Sequence, residues 1–519
     1  MQIGYPYGLI PLAKPVQSGR RLPVLDFCRP LTEDTLCFSG IAVGRKRPTD
    51  EIAAHLASFP KVGPPPFNAK FHAERRQAFL SKLPPNTTVV MPGATLATRN
   101  NDVDHPFRQD SNFFYLTGFD KPDAVAIFSN VPGKPAFTLL IPYQGNERFN
   151  LFCGTPIGVE QVKMLYGADH AVAYNNDNLS RADQAMKMAL AEALPEDVHP
   201  QFLPGKAASK LDPLVARLLK KVSRQAGQPL DGTIARRALE DMRLIKTPYE
   251  IALLKRACDL SARAHKAVMR RSRLSGPGKT LYEGKVQAEI ESSWTKRGAV
   301  RHAYGTIAAG GERACTLHYV DNNQHTRWKE LLLLDAGCEY NSYAADITRV
   351  FPSNGKFTPA QKAIYNLVLE AQKRAIRMVK PGVTLREIHM EAARHIHHGL
   401  MDLGILKGVS DKLWGEEAYQ KFFPHRTSHM LGLDVHDLPI KLGDANVLDI
   451  PLQPGMVFTI EPGLYFRPDI AKQHDVDPQW HGIGVRIEDD ILVTAQGHEV
   501  LSSGAPKEVN EIEALMAGK

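Results

Sequence analysis

Long apolar runs are missing from this 519-residue chain. No stretch approaches the roughly 20 residues needed to cross a bilayer, so neither a transmembrane helix nor a membrane partner is expected. The amino terminus, MQIGYPYGLIPLAKP, has no charged segment ahead of an apolar one and does not read as a secretory signal. Cysteine is scarce and scattered, at Cys28, Cys37, Cys153, Cys258, Cys315 and Cys338. Without a CxxC pair these residues suit neither a disulfide frame nor a thiolate zinc site, and they read as reduced thiols of a cytoplasmic protein. Short-period repeats and low-complexity tracts are also missing, and Asn86-Thr87-Thr88 reads as a chance glycosylation match.

What is present is ordinary for a globular protein: 43% hydrophobic and 23% charged residues. The length exceeds one compact core, so at least two domains are expected. A net charge of +8 and a pI near 9.0 raise the question of nucleic acid. The distribution answers it. Residues 1–71 hold nine Lys/Arg against five Asp/Glu, so half the excess lies in the first segment. Its single tight run, Arg45-Lys46-Arg47, reads as a solvated loop, and no nucleic-acid partner is expected.

Residues 1–71 are proline-rich, include Pro64-Pro65-Pro66, and read as an irregular extension ending in a stiff linker. From about Phe71 a basic helical stretch leads into a strand at Thr88–Met91, closed by Pro92-Gly93. Further strands are predicted at Ala124–Phe128 and Phe137–Ile141, with helical patterns to about residue 225. This alternation predicts an α/β domain over 72–240. A boundary near 240 precedes Thr247-Pro248-Tyr249-Glu250, a capping box that opens a helix with Ile251, Leu254 and Cys258 on its apolar face. Thr358-Pro359 and Thr384 with Glu387 open two more helices. Strands are expected at Leu331–Leu334, Ile347–Phe351, Met456–Ile460 and Val485–Ile487. The segment 241–519 therefore reads as α+β, an antiparallel sheet covered by helices.

The chemistry concentrates in four of these C-terminal segments. In LLLLDAGCEYNSYAADITRVF a buried strand ends at Asp335 and another begins around Asp346. Paired as a hairpin, they place two carboxylates side by side at the edge of an apolar core. Such a pair repels unless a proton or cation lies between. PHRTSHMLGLDVHD carries His425, His429 and His436, candidates for metal ligation or proton transfer. In MVFTIEPGLY an apolar strand ends at Glu461, and in GIGVRIEDDILV the acids Glu488, Asp489 and Asp490 interrupt another. Asp335, Asp346, His429, Glu461 and Glu488 make an oxygen-rich set with one imidazole. Four carboxylates carry enough charge for two divalent ions, and hard oxygen donors favour Mn²⁺ over a thiolate-type zinc site. Two such ions can hold a hydroxide between them and polarise a carbonyl, which are the needs of peptide hydrolysis.

LDAGCEYNSYAADITRVFP, SHMLGLDVHD, IEPGLY and GVRIEDD closely resemble the metal-ligand motifs of the M24 metallopeptidases, and within them of aminopeptidase P. The likeness runs from about residue 72 to the C-terminus and includes PFRQDSNFFYLTGFDKPDA in the N-terminal half. It implies a pita-bread catalytic domain and a metal-dependent aminopeptidase that removes the residue preceding proline, working as a homodimer or homotetramer on peptides. It also implies roles. Asp335 resembles the ligand of one metal only, Asp346 and Glu488 the bridging carboxylates, and His429 with Glu461 the remaining ligands of the other. Glu461 is further implied as the proton shuttle. His318, in Cys315-Thr316-Leu317-His318-Tyr319, and His436 resemble the histidines that position substrate and stabilise the oxyanion. His425 resembles the residue beside the proline subsite, and Arg486 and Tyr465 other active-site residues. Arg426-Thr427 departs from the small residue expected after His425.

Three features are set aside. His389, His395, His397 and His398 lack matching carboxylates and are expected on a solvated helix face. Ala308-Ala309-Gly310-Gly311 lacks the GK[ST] of a phosphate loop and reads as a turn. Cys338 reads as a buried structural thiol. The rival readings are prolidase, which cleaves Xaa-Pro dipeptides, metal-free creatinase-like chemistry, and a non-catalytic peptidase-like binding protein. The last two predict missing ligands or histidines, and all are present.

Overall fold

The computed structural model describes residues 69–142, 156–174, 199–204, 211–225 and 230–518, with scattered positions between 151 and 192. The expected extension therefore lies outside the described residues, except for its last three. Those three belong to the folded body. The helix Ala69–Ser81 begins there, and Phe71 is buried against Tyr249 at a ring separation of 4.3 Å. Arg75, one turn on, stacks its guanidinium 3.4 Å over the Phe71 ring and reaches the buried Glu250 carboxylate at 2.5 Å.

The N-terminal half is built on a five-stranded mixed sheet. Its spatial order is His170–Tyr174, Phe137–Pro142, Val125–Ser129, Thr87–Pro92, His199–Phe202. The three central strands pair antiparallel and both edge strands pair parallel. Thr87–Pro92 is buried at every position, as its Val-Val-Met run requires of a central strand.

The helix Thr233–Leu244 runs across the expected boundary near 240, and the chain turns instead at Ile245-Lys246. The helix Pro248–Arg271 then starts on the predicted capping box: Thr247 N–H donates to Glu250 Oε2 at 2.8 Å, with proline at the first position. Equivalent boxes open Pro359–Met378 and Leu385–Asp402. These helices cover two three-stranded antiparallel sheets. One contains Ile307–Gly310, Leu331–Asp335 and Thr348–Pro352; the other contains Val457–Ile460, Asp489–Val493 and His498–Val500.

Two expectations fail here. Ala308–Gly310 is strand rather than turn, paired to Leu332–Leu334, and its glycine is needed because a β-carbon at 310 would lie 2.1 Å from Thr326 Oγ1. The four-histidine helix is not a solvated face either. His397 is buried with Nε2 3.1 Å from Ser410 Oγ, His389 lies 2.8 Å from Thr427 Oγ1, and of the four only His398 is exposed.

Candidate functional site

Register places the first two acids. Leu331–Asp335 pairs antiparallel with Thr348–Pro352, Asp335 opposite Thr348, and Ala336 N–H donates to the Ile347 carbonyl at 3.1 Å. Asp346 thus enters beside Asp335, as the hairpin reading predicts. The intervening turn requires glycine at 337, since a β-carbon there would lie 1.7 Å from the Ala345 carbonyl oxygen.

The second sheet supplies the other donors. Val457–Ile460 ends immediately before Glu461, and Glu461 N–H donates to the Thr427 carbonyl at 2.8 Å. Thr459 N–H donates to the His429 carbonyl at 2.9 Å, so the histidine loop is sewn onto the same strand. His429 Nδ1 faces the Met430 carbonyl at 3.2 Å, which leaves Nε2 pointing inward, 3.4 Å from Asp346 Oδ2 and 3.5 Å from Glu461 Oε1. Glu488 precedes the strand Asp489–Val493 and accepts from Thr348 Oγ1 at 2.6 Å.

Asp346, His429 and Glu488 bring one ligand atom each within 4.8 Å of one another. Asp335 is outside that group and is held by two donors: Arg486 Nη2 at 2.6 Å and Tyr304 OH at 2.5 Å. Tyr304 escaped the sequence reading, because it belongs to none of the acidic or histidine-bearing segments. Arg486 also donates from Nη1 to Tyr465 OH at 2.9 Å and from Nε to Thr348 Oγ1 at 3.2 Å.

His425 stands on the same wall, with Nδ1 2.8 Å from the Arg426 carbonyl and Nε2 2.8 Å from Tyr465 OH. A carbonyl only accepts, so Nδ1 carries the proton and the Tyr465 hydroxyl donates to Nε2. Burial first, then the Arg486 charge, lowers the His425 imidazole to about 3, which keeps it neutral.

His318 and His436 are exposed at the mouth of the cleft. The His436 ring packs edge-on to His429 at 4.3 Å. Its loop is anchored by the next residue: buried Asp437 takes Arg243 at 2.6 Å and Lys246 at 3.0 Å. The surrounding cleft has a volume of about 600 Å³ and an apolar side formed by Val320, Leu438, Ile440 and Val447.

Electrostatics show what the cluster lacks. Burial, then the Asp346, Glu461 and Asp335 charges, push the Glu488 carboxyl well above the usual carboxylate range. Burial also raises Glu461, to about 7, despite the opposing His429 and Arg486 charges. Asp335 is raised by burial against the Arg486 guanidinium. For Asp346, burial is outweighed by the His429 hydrogen bond and charge, and the group is lowered. Burial would depress His429, yet Asp346 and Glu461 lift it to about 9. Three buried carboxylates and the half-buried Glu461, with one arginine and one imidazole, are short of positive charge, and an oxygen-rich donor set of this kind fits hard divalent cations.

The neighbouring acids do other work. Asp489 is fully buried between Arg349 at 2.6 Å and Lys507 at 2.6 Å, while Asp490 accepts from the Asp346 backbone N–H at 3.0 Å. Cys338 is buried, accepts from Ser261 Oγ at 3.3 Å, and has its thiol pushed up to about 12 by burial, so it is no nucleophile.

The chain resembles known proteins over most of its length. Residues 252–495 match metallopeptidase family M24, and residues 72–192 match the aminopeptidase P N-terminal domain. Over 446 residues the chain is 38% identical to an Xaa-Pro aminopeptidase of Escherichia coli, covering 85% of this chain and 96% of that one. A Haemophilus influenzae Xaa-Pro aminopeptidase is 36% identical over 470 residues, covering 89% and 99%. Among solved structures, proline aminopeptidase P II from Yersinia pestis superposes with a TM-score of 0.78 at 38% identity, over 87% of this chain and 100% of that one.

Proposed function

This chain belongs to the Xaa-Pro aminopeptidases of metallopeptidase family M24, and on that premise we propose how its cleft releases the residue that precedes proline. The observation that carries the reading is the convergence of Asp335, Asp346, His429, Glu461 and Glu488 beside the His425–Tyr465–Arg486 wall. Two divalent ions, of the Mn²⁺ kind, would be held there. Asp335 would hold one of them, His429 and Glu461 the other, and Asp346 and Glu488 would contribute to both. When bound, such ions supply a nucleophile derived from water at neutral pH and polarise the scissile carbonyl.

The remaining steps fall to side chains. The His425 ring, kept neutral and fixed by Tyr465, offers an apolar face to proline, whose nitrogen lacks a hydrogen and whose φ is fixed. His318 and His436, exposed at the cleft mouth, position the peptide and donate to the oxygen of the scissile carbonyl as it gains charge. Glu461 takes a proton at its carboxylate and returns it to the leaving proline nitrogen. Val320, Leu438, Ile440 and Val447 line the cleft and offer the peptide apolar contact.

A division into an N-terminal domain from residue 72 and a catalytic domain to residue 519, meeting at the Ile245-Lys246 turn rather than at 240, accompanies this reading, with the chain as a cytoplasmic homo-oligomer. Cytoplasmic placement draws on the free, buried thiols of Cys258, Cys315 and Cys338. Comparing kcat/KM for Xaa-Pro-Yaa, Xaa-Pro and Xaa-Ala-Yaa tests the activity. The tripeptide with proline is expected to be cut best and Xaa-Ala-Yaa poorly. A strong preference for the dipeptide would make the protein a prolidase on the same site.

A further inference from the structure

A second cavity, of about 300 Å³, adjoins the cleft and shares with it His425, Arg426, Ser428 and Leu448. His425 lies on the wall assigned to proline, so this shared partition borders the way out for a peptide that continues past proline. The charged groups around it are mostly committed. Arg386 binds Asp449 through two hydrogen bonds of 2.5 and 2.9 Å, and Glu417 accepts from Gln420 at 2.8 Å. Arg486, deeper in the cleft, spends its three nitrogens on Asp335, Tyr465 and Thr348.

Arg426 is different. It is exposed, and only its backbone carbonyl is engaged, by His425. Among the described residues its guanidinium has no hydrogen bond or ion-pair partner. A planar fork of donors with no acceptor, set on the partition between two cavities, suits a carboxylate.

We propose that Arg426 recognises a carboxylate on the peptide beyond proline, where the chain passes from the cleft into the second cavity. This rests on the aminopeptidase reading and adds a charge preference to it. The carboxylate comes either from the free C-terminus of Xaa-Pro-Yaa or from an acidic side chain after proline. Because the pair is exposed, its effect is modest, about two- to fivefold in kcat/KM, and shrinks as salt is raised.

Two pairs of peptides separate the sources. Xaa-Pro-Ala against Xaa-Pro-Ala-amide varies the C-terminus, and Xaa-Pro-Asp-Ala-amide against Xaa-Pro-Asn-Ala-amide varies the side chain. In the wild type the anionic member of at least one pair is expected to be favoured at low salt, mainly through KM. In Arg426→Gln that ratio falls to about one, in Arg426→Lys it is partly kept, and in Arg426→Glu it inverts. The pair that responds identifies the source. Ratios that stay the same in wild type, Arg426→Gln and Arg426→Glu, with all four peptides cut, overturn the inference alone. Failure to cut any of them overturns the aminopeptidase reading and this inference with it.

Discussion

Arg486 donates to Asp335 at 2.6 Å inside the protein, and the same guanidinium fixes Tyr465 at 2.9 Å. Tyr465 in turn donates to His425. One cation thus sets the orientation of a proposed metal ligand and of the proline wall together. Burial works to lower the guanidinium, but Tyr465 first, then the Asp335, Glu488 and Glu461 charges, raise it well above its ordinary value.

Replacing Arg486 should therefore damage both stability and activity, in proportions set by what replaces it. In protein stripped of metal, Arg486→Met leaves buried carboxylates without their cation, a defect that typically costs about 3–5 kcal/mol. Arg486→Lys keeps the charge but loses the fork, so a smaller loss is expected, with kcat/KM for Xaa-Pro-Yaa falling more than stability does. Denaturant unfolding of the chelated proteins checks the order. Equal stability of wild type and Arg486→Met would remove Arg486 from this role.

Metal stoichiometry should follow the ligand geometry. Asp346 and Glu488 share the tight donor group with His429, whereas Asp335 is outside it and bound by Arg486 and Tyr304. Asp346→Ala and Glu488→Ala are expected to lose both ions, and Asp335→Ala mainly one. Elemental analysis after gel filtration reads this directly. Wild type with a single ion, unchanged in Asp346→Ala, would end the dinuclear proposal.

Much of this site was legible because its parts are local. Each proposed carboxylate ligand lies at or beside an end of an apolar strand, and three long helices open on their own capping boxes, so short windows contained the signal. Boundaries drifted by a residue or so, as at Thr348–Pro352 against the expected Ile347–Phe351. What stayed hidden depends on distant partners. Tyr304 matters through a contact 31 positions away, and Asp437 through Arg243 and Lys246, each 191 or more positions away. The histidine helix misled for the same reason. His397 and His389 are covered by Ser410 and Thr427, from segments whose approach no helical period reveals.

The two mouth histidines separate chemistry from metal binding. Neither His318 nor His436 lies in the tight donor group, and both are exposed. His318→Ala and His436→Ala should keep wild-type metal content while kcat falls by about 10²–10³-fold, the usual consequence of losing one oxyanion donor. Loss of metal from either variant would show that the ligand set has been drawn wrongly.

Acid sensitivity should begin with buried neutral histidines rather than with salt-bridged acids. Burial, chiefly, lowers His72 to about 3 and His265 to about 4, with hydrogen bonds to the Tyr115 and Ala336 carbonyls opposing. A histidine whose folded value lies below its unfolded value of about 6.5 binds its proton more readily in the unfolded chain. Its contribution is therefore complete above about pH 6.5 and is lost as pH falls towards 3 or 4. Asp437 is also depressed, by Lys246 and Arg243 acting against burial, but its contribution is lost only below the ordinary carboxylate range. The first loss on acidification thus belongs to the histidines. For His72 alone it amounts to about 3 kcal/mol by pH 4.5. His72→Gln, which can still donate to the Tyr115 carbonyl, removes the titration. Its unfolding free energy, measured in chelated protein from pH 7.5 to 4.5, should fall less steeply than that of the wild type. Parallel pH profiles for the two proteins would mean that His72 does not titrate on unfolding, and that acid acts elsewhere in the fold.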